Sequence, residues 1–308
     1  MYSGEGAVAE LSRENGKEEI MRRKFQKRLT AFVMCAVLTC TTLAMAVSAG
    51  GIAERAVPDG APVNVTLDGK PILAGQAVII NSVTYVPLRS FSELMGADKI
   101  TWDAKTNTAS VTKGSMTMYV TSGALYISAN DRYFFTVEKV LNVSGRLYVP
   151  IRAIAEAFSA SVGWDADTRT VAVKSSTKTL VSGSKFYNSD DVYWLSRIIS
   201  AEAAGESLQG KIAVGSVVLN RKASRDYPNT IYGVIFDRKG GTQFTPVASG
   251  TIYKTPSQES IIAAKICLEG YNIDEAILFF MNPKIATSNW ISKNRPYAFT
   301  IGNHAFYY

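Results

Sequence analysis

Between about Pro62 and Ser175 the apolar positions run through the same series of patterns twice. Tyr85-Val86-Pro87-Leu88-Arg89 is followed by Trp102-Asp103-Ala104, and Tyr148-Val149-Pro150-Ile151-Arg152 by Trp164-Asp165-Ala166. In each copy a short apolar strand runs into a helix, predicted over Leu88 to Met95 and Ile151 to Phe158. Proline stands at the first turn, where its missing N–H breaks no intrahelical bond. A strand of alternating residues follows, Thr108 to Thr112 and Thr170 to Val173. Between the copies, Met116 to Val140 alternates apolar and polar residues around Ser122-Gly123 and Asn130-Asp131, as hairpins do. Residues 62–175 therefore read as a small α+β repeat domain. Arg89, Arg152, Trp102 and Trp164 are read as holding that repeat together, in preference to forming a ligand site.

The periodicity breaks in Lys174 to Asn188, rich in Ser, Thr and Lys, so residues 176–188 are expected to be a linker. Helical spacing then takes over for a second domain, residues 189–308. Ser189 or Asp190 can cap a helix with Val192, Leu195, Ile198 and Ile199 on its apolar face, and Gly205 is placed to stop it in a left-handed turn. Ser207 opens a second helix running to Asn220-Arg221. A third is predicted to start with Thr255 as cap, Pro256 at the first position and Gln258 closing a capping box, continuing to Gly270. Tyr297 to Ile301, Gly302-Asn303 and His304 to Tyr308 read as a hairpin. The fold class is α+β: a mainly helical domain with a small hairpin, preceded by the repeat domain.

The start of the chain changes the picture of where these domains work. Met21 to Arg28 is basic and Leu29 to Val47 is apolar, ending in small residues, so residues 1–49 read as an N-terminal extension and a secretory signal peptide, with Met21 as the expected true start. An uncleaved anchor is the lesser alternative, and in either case the leader brings a transient membrane contact. Cys35 and Cys40 lie inside it, leaving Cys267 alone in the mature chain and no intramolecular disulfide; the threonine before Cys40 argues against lipidation. The formal charge of +7 over 308 residues would fall to +5 without residues 1–49, which hold seven basic and five acidic residues. That mild excess suits an anionic cell wall but forms no basic stripe, so no nucleic acid is expected as a partner.

Candidate chemistry narrows by elimination. A single histidine, His304, cannot build a multi-histidine zinc or copper site, so no metal or cofactor is expected. Cys267 sits in the apolar run Ile266-Cys267-Leu268 near a helix C-terminus, where the dipole disfavours a thiolate, and a core role is preferred to a Cys/His pair. No Gly-x-Ser-x-Gly elbow offers a nucleophilic serine. Carboxylates remain, and they suffice for cleaving glycosidic bonds. Glu202 would lie in the last turn of its helix, where unpaired carbonyls and apolar neighbours such as Ile198 and Ile199 favour the protonated form a general acid needs; a solvated surface glutamate is the competing reading.

Two resemblances sharpen this. The repeated segments resemble the stalk-like domain named after the N-terminal domain of copper amine oxidases, which implies a spacer or wall-binding unit and no oxidase chemistry. Ser200-Ala201-Glu202-Ala203-Ala204-Gly205-Glu206, with Ala213-Val214, Val218-Leu219-Asn220-Arg221, Tyr227-Pro228-Asn229-Thr230-Ile231, Gln243-Phe244-Thr245-Pro246, Asn282-Pro283 and Trp290, resembles the spore-cortex-lytic cell-wall hydrolase family of the SleB/CwlJ type. The resemblance implies a lysozyme-like catalytic domain acting on peptidoglycan outside the cytoplasmic membrane, in the wall or spore cortex, with Glu202 as the catalytic acid of a lytic transglycosylase. A hydrolytic glycosidase, a non-catalytic wall-binding protein and a Cys267-dependent peptidase are the alternatives. Trp290, Phe244 and Tyr232 are candidate sugar platforms, and Gln243, Asn220 and Asn282 candidate hydrogen-bonding residues. Glu206 is the candidate second carboxylate, although its place at the start of the next helix favours an electrostatic capping role.

Overall fold

A computed structural model describes residues 57–308. The expected signal peptide lies outside the described residues. Among the described residues no helix is long and apolar enough to cross a membrane.

The repeat folds as its apolar pattern dictates. Strand Val83–Pro87 leads into helix α1 (Leu88–Leu94), and strand Arg146–Pro150 into α2 (Ile151–Ala157), with Pro87 and Pro150 at the N-caps. The two Tyr-Val-Pro strands pair antiparallel with each other, Val86 opposite Val149, at the centre of a five-stranded sheet. A second five-stranded sheet runs from Lys99–Asp103 through Thr108–Lys113, Met116–Thr121 and Tyr126–Ala129 to Arg132–Phe135. Asn130 and Asp131, both at positive φ, make its last two-residue turn. In a third sheet, Asn64–Leu67 pairs parallel with Thr170–Lys174, residue for residue from Asn64 and Thr170 to Leu67 and Val173. Asp68 extends this seam by accepting from the Ser175 backbone at 2.9 Å and its hydroxyl at 2.6 Å. Phe91, Val86, Val149 and Ile154, all fully buried, are core residues of the module.

The four residues expected to hold the repeat together do less than that. Arg89 and Arg152 are exposed, Arg89 pairing with Glu93 at 3.8 Å, and Trp102 and Trp164 lie half out of the protein on edge strands. The binding is done by their neighbours. Tyr85 is buried and donates to the Lys139 carbonyl at 3.0 Å. Asp103 accepts from the Lys105 N–H at 2.9 Å, and Asp165 from the Asp167 N–H at 3.0 Å, each fixing the turn after its tryptophan.

Residues 176–188 are not a free tether. They carry a helical turn, α3 (Gly183–Phe186), and the Gly183 N–H donates to the Asn130 carbonyl at 2.8 Å. A Cβ at Gly183 would strike the Asp131 backbone, so only glycine allows this approach. The helical part follows: α4 (Ser189–Glu202), α5 (Leu208–Ala223), α6 (Ile231–Phe236), α7 (Thr245–Ser249), α8 (Gln258–Leu268) and α9 (Trp290–Asn294). Asn188, not Ser189 or Asp190, caps α4, accepting from both of those residues' successors in the first turn, Asp190 and Asp191. Ser257, not Thr255, caps α8, because its hydroxyl accepts from Ser260 three residues on. Gly205 does not take a left-handed conformation; α4 ends at Glu202, with Ala203 as its C-cap.

Helix α5 is buried almost all round, and α4 and α8 close on it at Gly215. A Cβ there would come within 2.7 Å of Cys267 Sγ and 3.0 Å of Ile199 Cδ1. The expected hairpin forms, Tyr297–Ile301 against His304–Tyr307, with Phe279–Met281 added on the other side. The repeat module and the linker are tied to α8 and its C-cap Glu269 by polar contacts, of which the Arg132–Glu269 pair is largely buried and the Lys265–Asp131 pair lies at the surface. Arg132 donates to both oxygens of Glu269, at 2.8 and 2.5 Å, Tyr187 donates to the same carboxylate, and Lys265 meets Asp131 at 2.6 Å. A fork-shaped pair of this kind fixes orientation as well as distance.

Candidate active site

Glu202 is the last residue of α4, and its side chain enters a groove of about 760 Å³. The groove is lined by the end of α4 and the residues after it to Glu206, Arg221 near the end of α5, the loop and helix Gln243 to Thr251, strand Phe279–Met281 with the segment to Thr287, and the turn Asn303-His304. Burial pushes the Glu202 carboxyl up from 4.5 to about 7. Its position in the last turn of a helix, among unpaired carbonyls, acts in the same direction. The competing picture of a solvated surface glutamate does not fit this half-buried place.

Glu206 also lines the groove, but its carboxylate is engaged. It accepts from the Asn303 N–H at 3.3 and 3.2 Å and from the Asn303 side-chain amide at 3.0 Å, which fastens the hairpin turn to the start of α5. The turn passes so close that a Cβ on Gly302, at φ +58, would fall on the Glu206 carboxylate. Lys211, buried beneath, donates to the Glu206 carbonyl and pairs with Glu259 at 2.7 Å. Ser207, its neighbour, is the cap of α5, accepting from Gly210.

The other candidates divide. Gln243, Phe244 and Asn282 line the groove. Gln243 donates to the Lys239 carbonyl at 2.9 Å and faces Arg221 Nη1 at 3.5 Å, so part of its amide is spent on loop structure. Phe244 is buried against Phe280, making it floor and not an open sugar platform. Asn282 accepts from the Lys284 N–H at 3.0 Å, as a turn residue before proline should. Three candidates lie elsewhere. Asn220 does not line the groove; it is buried and donates to the Asp274 and Ile277 carbonyls at 2.9 and 2.8 Å, a packing role that replaces the expected sugar contact. Tyr232 stacks on Phe236 at 4.5 Å in an exposed aromatic cluster around Trp194, outside the groove. Trp290 is half-exposed beside Phe279 and Arg295; Ile291, one residue on, reaches the groove where Trp290 does not.

Two ionisable groove residues, Arg221 and His304, were not proposed from sequence as site residues. Arg221 lies buried with Nε donating to the Leu278 carbonyl at 2.8 Å and its guanidinium 5.3 Å from the Phe244 ring centre, a fixed cation in the groove wall. A basic residue in the apolar run of α5 was the available signal. His304 is also buried. Burial lowers its imidazole below the ordinary value, opposed by the nearby Glu206 carboxylate 3.8 Å from Nδ1. Cys267 is fully buried, its thiol pushed up to about 12 by burial, and it does not line the groove. Among the described residues, no three His, Cys, Asp or Glu side chains lie together as a metal site would require, and the repeat module has no histidine to hold copper.

Comparison with known proteins supplies the class. Residues 205–307 match the Cell Wall Hydrolase family model, and residues 66–173 match that of the Copper amine oxidase N-terminal domain. The chain thus carries a segment similar to cell wall hydrolases after one similar to the copper amine oxidase N-terminal domain, with Glu202 just ahead of the hydrolase-matched segment. Among particular relatives, the spore cortex-lytic enzyme of Bacillus cereus is 38% identical over 120 residues, which are 39% of this chain and 45% of the relative. That of Bacillus subtilis strain 168 is 37% identical over 120 residues, 39% of this chain and 38% of the relative. The chain thus spans less than half the length of these two relatives. The solved catalytic domain of the germination-specific lytic transglycosylase SleB from Bacillus anthracis is 36% identical, covering 42% of this chain and 100% of that domain, with a TM-score of 0.37.

Proposed function

We propose that the protein cleaves the glycan strands of peptidoglycan between N-acetylmuramic acid and N-acetylglucosamine, as a lytic transglycosylase with Glu202 as its single catalytic carboxyl. The observation that carries this is a carboxyl group with a pKa of about 7 inside an open groove, able to hold a proton at neutral pH and to give it up. Glu202 protonates the glycosidic oxygen, and the bond from the muramic C1 to that oxygen breaks. The carboxylate left behind takes the proton of the muramic C6 hydroxyl, whose oxygen closes on C1 to give a 1,6-anhydro end. No water is consumed and Glu202 is returned protonated.

The engagement of Glu206 supports this route over hydrolysis through two carboxylates. Of the groove-lining residues only Glu202 and Glu206 are acidic, and the second is held by Asn303. Arg221 gives the groove a cation suited to an acidic group of the substrate. The names of the similar proteins, spore cortex-lytic enzymes, support the wall as substrate, with action outside the cytoplasmic membrane. Mass spectrometry of digested peptidoglycan tests the reaction. Anhydro ends, one water lighter than reducing ends, are expected; reducing ends would replace the transglycosylase by a hydrolase, and new amino termini with inhibition by a thiol reagent would replace both by a peptidase.

A further inference from the structure

The two nitrogens of the His304 ring have different surroundings. His304 opens the last strand, 7% exposed, with its ring edge-on to Phe280 at 5.3 Å, and both residues line the groove that holds Glu202. Nδ1 is shut inside with no hydrogen-bond partner; Glu206 Oε1 lies 3.8 Å from it, near enough to act by charge but too far for a hydrogen bond. Nε2 does not share that confinement. A neutral imidazole carries a proton on one nitrogen and a lone pair on the other, and the surroundings of one decide the state of both. The Glu206 carboxylate, fixed by Asn303, favours the proton on Nδ1. Nε2 is then a bare acceptor, the polar atom that the ring can offer to the groove.

Acceptors of that kind are scarce there. The amide oxygens of Gln243, Asn282 and Asn303 face Arg221, the Lys284 N–H and the Lys284 ammonium, and Glu206 is taken by Asn303. A protonated Glu202 donates. We propose that His304 is a substrate-binding residue, accepting a hydrogen bond through Nε2 from a hydroxyl or acetamido N–H of the glycan, and that Glu206 is the positioning residue that sets its tautomer. The inference rests on the glycan as substrate of this groove. It also gives the second carboxylate a use that needs no part in bond cleavage. Protonating the ring would remove the acceptor. The charged groups around it are Glu206, Glu202 and Arg221 in the groove and Lys211 beneath Glu206. Burial holds the imidazole below its ordinary value of 6.5, so the loss falls on the acid side, whereas the alkaline side belongs to Glu202.

The chain has one histidine, so its ring signals can be read by NMR without assignment by mutation. The test uses the full chain carrying Glu202→Gln, which binds without cleaving. Nitrogen NMR of the imidazole is expected to show the Nδ1–H tautomer, with the Nε2 signal shifting when a soluble tetrasaccharide of alternating N-acetylglucosamine and N-acetylmuramic acid is added. Glu206→Gln, which removes the charge, should let the other tautomer appear. Sedimentation with purified, protein-free peptidoglycan gives the second readout. His304→Asn places an amide near Nδ1 and nothing at Nε2, and should weaken binding about tenfold, the value of one hydrogen bond. His304→Gln places an amide oxygen near Nε2 and should limit the loss to about threefold, without the weakening toward pH 5 expected of the parent. An Nε2–H tautomer in the free protein, an Nε2 signal unmoved by bound glycan, equal losses in the Asn and Gln variants, or a Gln variant that keeps the parent's pH dependence would each overturn the proposal. Binding by the parent with any of these results strikes this inference alone; a parent that does not bind glycan strikes the function proposed above as well.

Discussion

Replacing Glu202 by glutamine should abolish turnover and, at alkaline pH, make the protein more stable. An ordinary glutamic acid is about 0.3% protonated at pH 7, whereas one with a pKa of about 7 is about half protonated, roughly a 150-fold gain in the acid form. That gain has a thermodynamic counterpart. The folded state holds the proton up to about pH 7, while the unfolded chain releases it near 4.5, so the stability tied to this proton is complete below about 4.5 and is lost as pH rises through 7. The full shift corresponds to about 3 kcal/mol, reduced to roughly 2 kcal/mol by the solvent that a half-open groove admits. Glutamine keeps the shape and never ionises. Urea unfolding of both proteins at pH 4, 6 and 8 should show nearly equal stability at pH 4 and a gap opening to about 2 kcal/mol in favour of the variant at pH 8. Glycan release by the wild type should fall as pH rises through 7 and be lost in the variant. A gap that does not change with pH, or a variant turning over near the wild-type rate, would refute a buried, proton-holding glutamate.

Asn220→Ala should act on stability and not on substrate binding: two buried carbonyls lose their donor, so about 2 kcal/mol is expected in urea unfolding, with KM unchanged for the folded fraction. Gly302→Ala should destabilise by 2 kcal/mol or more, on the order of an overpacked site with added backbone strain, and should release Asn303 from Glu206; an unaltered Tm would contradict the close turn. Cys267 should resist alkylation in the native protein, and thiol reagents should leave glycan cleavage unaffected, because the buried thiol holds its proton to about pH 12; rapid labelling under native conditions would contradict its burial.

How much of this was legible in the sequence depends on the range over which each feature is determined. The repeat, the order of elements and the place of Glu202 at a helix end come from local signals: periodicity, proline and cap residues. Cap positions were misplaced by one or two residues because adjacent polar residues, Asn188 beside Ser189 and Ser257 beside Thr255, offer equivalent side chains, and the neighbouring backbone chooses between them. The groove itself was only half legible. Asn220 and Arg221 are neighbours in one motif, yet a rotation of about 100° between them on α5 turns one toward buried carbonyls and the other toward the groove. The anchoring of Glu206 by Asn303, 97 positions away, leaves no local trace.

The parallel seam between Asn64–Leu67 and Thr170–Lys174 joins the strand near the beginning of the repeat module to the strand near its end. A pull applied between the chain before Asn64 and the chain after Lys174 would draw these strands past each other along their length, so their cross-strand bonds would bear the load together instead of opening one by one. The geometry is that of a mechanical clamp, with Asp68 and Ser175 as its catch.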